Sequence, residues 1–205
     1  LNTGHELRRI NATDRSLSGP IASNVSNFSL YDNNTVFYAT KPDENGAREA
    51  AYVTVGSSKA RTIARYEDSP QEATLTVRVN KYYGNYYVVV ANGSRTTILT
   101  GEVPASDAES PAPFKQYAAF DTEAPVKWLG FSPDSHRFVY AQTDNGVVVY
   151  DLDMKLKYAS YLPGQTAVID WIDEFHYVAV ANGSLTMYDF DGQNPRALAS
   201  GASGN

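Results

Sequence analysis

The 205-residue chain contains no cysteine, which excludes disulfides, cysteine-ligated zinc and thiol catalysis together. It also lacks an excess of basic residues, since the formal net charge is −6 and the pI is about 5.0. Nucleic-acid binding needs a basic surface that replaces the counterions on phosphates, so the sequence argues against nucleic acid as a partner. No apolar run is long enough to span a bilayer, and we expect membrane attachment only through segments absent from this chain.

Helical periodicity is missing as well, because no segment repeats apolar residues at helical spacing over three turns. Fifteen tyrosines and eight phenylalanines instead favour strands, since aromatic rings suit a pleated, half-buried surface. Four Asn-Gly dipeptides, beginning at Asn45, Asn92, Asn145 and Asn182, lie between short runs of β-branched and aromatic residues. This dipeptide is typical of type I′ turns, in which both central residues have positive φ. We therefore predict four hairpins with type I′ turns.

The hairpins belong to a repeated unit of about four short strands. Successive Asn-Gly dipeptides are 47, 53 and 37 residues apart, which brackets the period of roughly 40–50 residues in propeller blades. We predict an all-β fold, a β-propeller or partial propeller of about four four-stranded antiparallel blades, at residues 25–68, 72–121, 125–163 and 165–200. A β-sandwich is the alternative, which accounts for short strands but not for the recurring order of turns.

The two C-terminal units are the most alike. Val149–Asp153 (VYDLD) parallels Met187–Asp191 (MYDFD), each just after its Asn-Gly dipeptide. Trp128 and Trp171 are placed similarly, in the first strand of each unit. These parallels predict two blades of the same construction.

The N-terminal residues suggest a further, incomplete unit. Gly4–Ile10 resembles Gly192–Leu198, the last strand of the fourth unit, in the spacing of its glycine, arginine and aliphatic residue. Residues 1–24 are therefore interpreted as the outer strand of a preceding blade plus a linker. An open stack of blades exposes a sheet face, so self-association through open blade faces is expected.

Two motifs carry a resemblance to a known family. Phe131–Tyr140 (FSPDSHRFVY) resembles the FSPDG-type corner of TolB-like and WD40-like β-propeller repeats, with Ser135 where glycine is usual. Asp191–Arg196 (DGQNPR) is similar to the DG-x-N-x-R end of the same blades. The resemblance is good over residues 126–200 and degraded over 25–120. It implies a propeller of bacterial origin, and similar propellers follow PEGA domains in membrane-anchored surface proteins.

The stretch Lys81–Tyr87 (KYYGNYY) is the densest aromatic segment. Strand alternation predicts that one of Tyr86 and Tyr87 is buried and the other exposed, with Tyr82 and Tyr83 at the turn. Exposed tyrosines combine an apolar ring with a polar tip and suit a platform for a peptide or a sugar. Tyr82, Tyr83 and Tyr86 are therefore candidate ligand-binding residues, and packing within a blade is the alternative.

Two further candidate sites involve charged residues. Arg78 and Lys127 are predicted on innermost strands, where they would line a central channel, although both also suit an ordinary charged surface. Asp189, Asp191 and Asn194 resemble the start of a calcium loop but lack its distal bidentate glutamate. The alternative is that each aspartate caps a tight turn, since the pattern recurs at the same repeat position.

The sequence offers little for catalysis. His5, His136 and His176 form no metal-binding spacing, and no GxSxG nucleophile motif occurs. Asp170 and Asp173 lie near Glu174, but carboxylates at a strand corner are usually turn residues rather than a glycosidase pair. We predict no catalytic residue and no cofactor.

The function predicted is a non-enzymatic binding or scaffolding propeller module that recognises a protein, peptide or glycan at a bacterial cell surface. The alternative is an accessory propeller that gates a hydrolase or peptidase domain outside this chain, as in proteases resembling prolyl oligopeptidase. The fold does not choose between them, because propellers serve many functions.

Overall fold

The computed structural model describes residues 5–57, 59–67, 74–104, 114–162, 169–181 and 183–201. The secondary structure in these ranges consists of strands alone. The strands form four sheets of four, named A to D. Sheet A contains β1 (Val25–Leu30), β2 (Thr35–Thr40), β3 (Arg48–Thr54) and β4 (Arg61–Tyr66). Sheet B contains β5 (Leu75–Tyr82), β6 (Asn85–Asn92), β7 (Arg95–Gly101) and β8 (Lys115–Asp121). Sheet C contains β9 (Trp128–Phe131), β10 (Phe138–Gln142), β11 (Gly146–Asp151) and β12 (Leu156–Tyr161). Sheet D contains β13 (Ile169–Trp171), β14 (His176–Ala181), β15 (Ser184–Asp189) and β16 (Arg196–Ser200).

In every sheet the strands lie side by side in chain order, so each sheet is a four-stranded meander. The paired strands whose registers are resolved run antiparallel. The predicted fold class, an all-β chain of four-stranded antiparallel blades, is confirmed for the described residues.

The chain divides into two compact units. The first comprises Leu1–Gly93 and Ile98–Tyr117, and therefore holds sheet A and most of sheet B. The second comprises Ser94–Thr97 and Ala118–Asn205, and therefore holds sheets C and D.

The main core of the first unit lies between sheets A and B. Its aromatic centre is Phe37, whose ring centroid lies 5.5 Å from that of Tyr52 and 5.9 Å from that of Tyr86. Valines and leucines from β5, β6 and β7 surround these rings and are almost fully buried. Such continuous apolar strands are expected where a sheet is covered on both faces.

The second face of sheet A is covered by the N-terminal residues. Leu7, Ile21 and Ala22 pack on a cluster that includes Tyr38 and Val53, which are 5% and 2% exposed. This segment pairs with itself through two isolated antiparallel bridges, one of which joins Leu7 to Ala22. Its interpretation as the outer strand of a preceding blade stays a prediction.

The core of the second unit lies between sheets C and D. Phe138 of sheet C is fully buried and stacks on Trp171 and Phe190, with ring centroids 6.0 Å and 4.5 Å away. Tyr177 and Ala179 of β14 are also fully buried in this cluster. Sheet D therefore packs on sheet C through alternate residues of its strands.

The prediction of type I′ turns at the Asn-Gly dipeptides is wrong where the structure describes both residues. At Asn45-Gly46 and Asn92-Gly93 only the glycine has positive φ, and at Asn145-Gly146 neither residue has. β6 and β7 are joined by Gly93 and Ser94, with positive φ only at the glycine, as in a type II′ turn. Gly146 is required for a different reason, because a Cβ there would collide with the backbone oxygen of Ser160. The fourth dipeptide contains Asn182, which lies outside the described residues.

Candidate ligand-binding sites

The predicted aromatic platform lies on the hairpin of β5 and β6 in the first unit. The expectation that one of Tyr86 and Tyr87 is exposed is wrong, since they are 9% and 8% exposed. Adjacent strand residues point to opposite faces, and both faces of this hairpin are covered. Tyr86 contacts Phe37 and Tyr31, whereas Tyr87 packs edge-on against Tyr117 at 5.2 Å between centroids.

Tyr86 also lies beneath a cation. The Lys81 Nζ is 4.4 Å from the Tyr86 ring centroid and 5.1 Å from that of Tyr31, so the ammonium contacts two aromatic rings. Burial raises the pKa of the Tyr86 phenol above its ordinary value, although the nearby Lys81 ammonium opposes this. Tyr86 therefore serves the core of the first unit and keeps its proton at neutral pH.

The two tyrosines at the turn differ from one another. Tyr82 ends β5 and is only 7% exposed, so its expected exposure is wrong. Tyr83 is 82% exposed, and its ring centroid lies 4.5 Å from that of Tyr82. Of the three predicted platform residues, Tyr83 alone presents its ring to solvent.

The backbone at this turn is unusual. Tyr83 and Gly84 have φ values of 45° and 82°, so the turn has positive φ at both central residues, as in type I′. Glycine adopts this region freely and asparagine tolerates it, but a bulky side chain with positive φ is an outlier. The hairpin therefore holds Tyr83 at its tip against the conformational preference of that residue.

The predicted channel residues are partnered. Arg78 lies on β5, is half-buried, and donates from Nη1 to the Asn27 Oδ1 at 3.2 Å. The same oxygen accepts the backbone N–H of Val77, which ties β1 to β5. Lys127 immediately precedes β9, and its Nζ lies 2.6 Å from an Asp144 carboxylate oxygen in a half-exposed ion pair. Their role in ligand binding stays a prediction.

The candidate calcium residues form a hydrogen-bonded turn between β15 and β16. The Asn194 Nδ2 donates to the Asp189 Oδ2 at 2.7 Å, and the Asp191 Oδ1 accepts the backbone N–H of Gln193 at 3.0 Å. These contacts are typical of aspartates that cap a turn. Among the residues described, no group of three histidine, aspartate or glutamate side chains is placed to hold a metal ion.

The carboxylates near β13 also stabilise turns. The Asp173 Oδ1 accepts the backbone N–H groups of Phe175 and His176, both at 2.8 Å. Burial would raise the pKa of Asp173, but these amides and the His176 ring outweigh it and hold the pKa below its usual range. Glu174 accepts hydrogen bonds from the Ser135 hydroxyl and backbone N–H, so it links two corners of the second unit.

The structure reveals a cavity that the sequence did not predict. It has a volume of about 270 Å³ and lies wholly within the second unit. Its walls are the β8–β9 connection (Asp121–Glu123), the β10–β11 turn with the start of β11, and the exposed side of β12. The cavity forms only when the β8–β9 connection lies beside the β11–β12 pair, which no single segment of the sequence predicts.

The side chains of Thr122 and Arg95 fix the β8–β9 wall of this cavity. The Thr122 Oγ1 donates to the backbone oxygens of Ser94 and Ala124, at 3.0 Å and 2.7 Å. The Arg95 Nη1 donates to the Asp121 Oδ2 at 2.6 Å. The wall is therefore held in place by hydrogen bonds to Ser94 and Arg95, at the start of β7.

No protein-family model matches the chain, and no curated protein matches it either. One similar solved structure is a protein of unknown function from Bacteroides caccae. It is 10% identical with a TM-score of 0.53, over 98% of this chain and 70% of that chain. A second is the WD40 domain of SCAP from fission yeast. It is 16% identical with a TM-score of 0.52, over 82% of this chain but only 42% of that chain. The fold is that of a WD40-like β-propeller.

The WD40-like fold agrees with the resemblance found in residues 126–200. The fold by itself does not assign a role, because propellers serve many functions. The predicted association with PEGA-domain proteins has no support from the similar structures. The described part of the chain contains no helix that is long and apolar enough to cross a membrane.

Proposed function

We propose that this WD40-like chain is a non-enzymatic binding or scaffolding module that recognises a protein, peptide or glycan at a bacterial cell surface, as TolB-like propellers would. The observation that carries the proposal is Tyr83, which is 82% exposed at the tip of the β5–β6 hairpin. Neither burial nor turn geometry favours tyrosine at this position. Backbone strain of this kind is common at ligand-binding sites, so we attribute the strained and exposed Tyr83 to contact with a ligand.

The surroundings of Tyr83 suit an aromatic contact. The Tyr82 ring centroid lies 4.5 Å from that of Tyr83, so a buried neighbour packs against the exposed ring. Tyrosine at a binding surface loses little conformational entropy and offers both an apolar ring and a hydroxyl.

The substitution Tyr83→Asn tests the proposal sharply, because Asn-Gly is the preferred type I′ pair. We expect the free energy of unfolding to be unchanged or raised by up to about 1 kcal/mol, since the strain on the bulky residue is relieved. Ligands selected by the unmodified protein from a random peptide library and a glycan array should lose roughly tenfold or more in affinity for this variant.

A control is Ile10→Asn, which removes another exposed apolar side chain of the first unit, 68% exposed. Its binding should stay within about twofold of the unmodified protein. If every selected ligand binds the Tyr83→Asn variant as well as the unmodified protein, the proposal is wrong. The alternative, a propeller beside a hydrolase or peptidase domain, stays a prediction, and the sequence of the full-length protein tests it.

A further inference from the structure

The cavity of the second unit is lined by solvent-exposed polar side chains. Among the described residues, the side chains of Glu123, Asn145, Lys157 and Tyr161 all line it, and none has a hydrogen-bond or ion-pair partner. Together they offer a carboxylate acceptor, an ammonium donor, and an amide and a phenol that both donate and accept. A ligand that satisfies all four must itself carry several donors and acceptors.

The charges of this cavity cancel. Asp121 is paired with Arg95 at 2.6 Å, and the remaining Glu123 carboxylate is balanced by the Lys157 ammonium. Sites for anions or cations concentrate charge of one sign, because the ligand's own charge must be compensated. The balance therefore favours a neutral ligand.

An exposed aromatic ring borders the same space. Tyr161 is 74% exposed and lies directly opposite Gly146 across the β11–β12 pair. Gly146 lines the same cavity as the tyrosine. Lys157, Ala159 and Tyr161 alternate along β12 and therefore lie on the same side of the strand. This side presents an ammonium, a small side chain and an aromatic ring in that order.

We propose that this cavity binds a neutral polyhydroxylated ligand, one pyranose unit of a glycan. A pyranose has a C–H face that packs on an aromatic ring and a rim of hydroxyls that donate and accept. Glu123 and Asn145 would bind adjacent hydroxyls, Lys157 would donate to a third oxygen, and Tyr161 would cover the C–H face. The cavity volume of about 270 Å³ is near the lower end of small-molecule sites, which suits a single sugar ring.

The test uses methyl glycosides of glucose, galactose, mannose and N-acetylglucosamine, whose blocked anomeric oxygen imitates a residue within a glycan. Binding to the full chain is measured by saturation-transfer NMR and titration, with arginine amide, acetate and N-acetylalanine amide as charged and peptide probes. We expect at least one glycoside to bind with a dissociation constant in the millimolar range. Tyr161→Ala should weaken it roughly tenfold and Glu123→Gln several-fold.

Met154→Ala is the matched control, because Met154 is 60% exposed on the β11–β12 turn, does not line the cavity and should leave sugar binding unchanged. The inference depends on Tyr161 and the proposed function on Tyr83, so each is tested by its own substitution. Absence of saturation transfer to every glycoside would overturn the inference. So would unchanged affinity in the Tyr161→Ala variant, or tighter binding of a charged or peptide probe than of any sugar.

Discussion

Sheets C and D have the same strand order and matching registers, yet they are covered differently. Phe138 pairs with Asp151 in sheet C as His176 pairs with Asp189 in sheet D, so the two sheets can be compared residue by residue. Sheet C is buried on both faces, with Val139 and Tyr150 on one and Phe138 on the other. Among the described residues, sheet D buries only the face that packs on sheet C.

The uncovered face of sheet D is aliphatic. It presents four half-buried side chains that pair directly across β14 and β15, namely Val178 with Met187 and Val180 with Leu185. The matching face of sheet C carries Phe138 and Val149, which are 0% and 1% exposed because sheet D covers them. The same pattern of residues therefore produces a core in one sheet and a surface in the other.

The largest expected difference in stability is between alanine substitutions of Asp151 in sheet C and Asp189 in sheet D, which occupy equivalent positions. Asp151 is 1% exposed, accepts two hydrogen bonds from the Arg137 guanidinium, and also accepts the backbone N–H groups of Asp153 and Met154. Asp151→Ala should lower the free energy of unfolding by about 3 kcal/mol, because the half-buried Arg137 guanidinium loses its nearest carboxylate and two backbone amides lose their acceptor. Asp189→Ala should cost roughly 1 kcal/mol or less, since its partners are more exposed. Urea unfolding measures both.

The pH dependence of unfolding provides the control for this pair. Burial would raise the pKa of Asp151, but the Arg137 guanidinium and the two amides outweigh it and hold the pKa below its usual range. The unfolded chain then binds the proton more tightly than the folded protein, so stability is full above about pH 4 and falls as the pH drops through the folded pKa. Asp151→Ala should flatten this dependence, and equal effects of the two alanine substitutions would break the comparison.

The second prediction compares valine-to-alanine substitutions on the buried face of sheet C and on the outer face of sheet D. Val149→Ala should destabilise the second unit by about 2 kcal/mol, because it removes fully buried methyl groups and leaves a cavity. Val178→Ala should cost roughly half of that or less, since water already reaches this side chain. Tryptophan fluorescence reports both, because Trp128 and Trp171 both lie in this unit. A cost at Val178 as large as at Val149 would mean that the outer face of sheet D is covered in solution.

The smallest expected effect is self-association through that face. We expect the protein to dimerise weakly at high concentration, because an aliphatic stripe on an unpartnered sheet favours contact with a second copy. Met187→Lys should abolish the dimer in sedimentation equilibrium. The chain has a second methionine as a matched control, Met154, which is 60% exposed on the β11–β12 turn, and Met154→Lys should leave association unchanged. A monomer at every concentration would contradict this prediction.

The strands were predictable because their signals are local. Runs such as Tyr86–Ala91 are apolar at every position, and each is bounded by turn residues. Turn geometry was less predictable, since the only described turn with positive φ at both central residues of a two-residue loop is Tyr83-Gly84 rather than an Asn-Gly pair. Register was also beyond the sequence: Trp171 pairs with Tyr177 as Phe131 pairs with Val139, so Trp171 matches Phe131 and not Trp128.

The candidate sites were harder to predict, because exposure depends on what packs above a strand. Alternation correctly separates Tyr86 from Tyr87 onto two faces, but it does not say that both faces are covered. Tyr83 was included for its position in an aromatic stretch, whereas its strain and exposure are properties of the folded hairpin. The cavity beside Tyr161 could not be found from any single segment.

By itself, the amino-acid sequence determined the strands, their grouping into four meanders and the all-β character of the described residues, because side-chain period and turn composition act over a few residues. Tertiary structure decided which sheet faces are buried, where Tyr83 stands and where the cavity opens. These properties arise from segments distant in the chain, and burial is set by the neighbours that fold against a residue rather than by the residue itself.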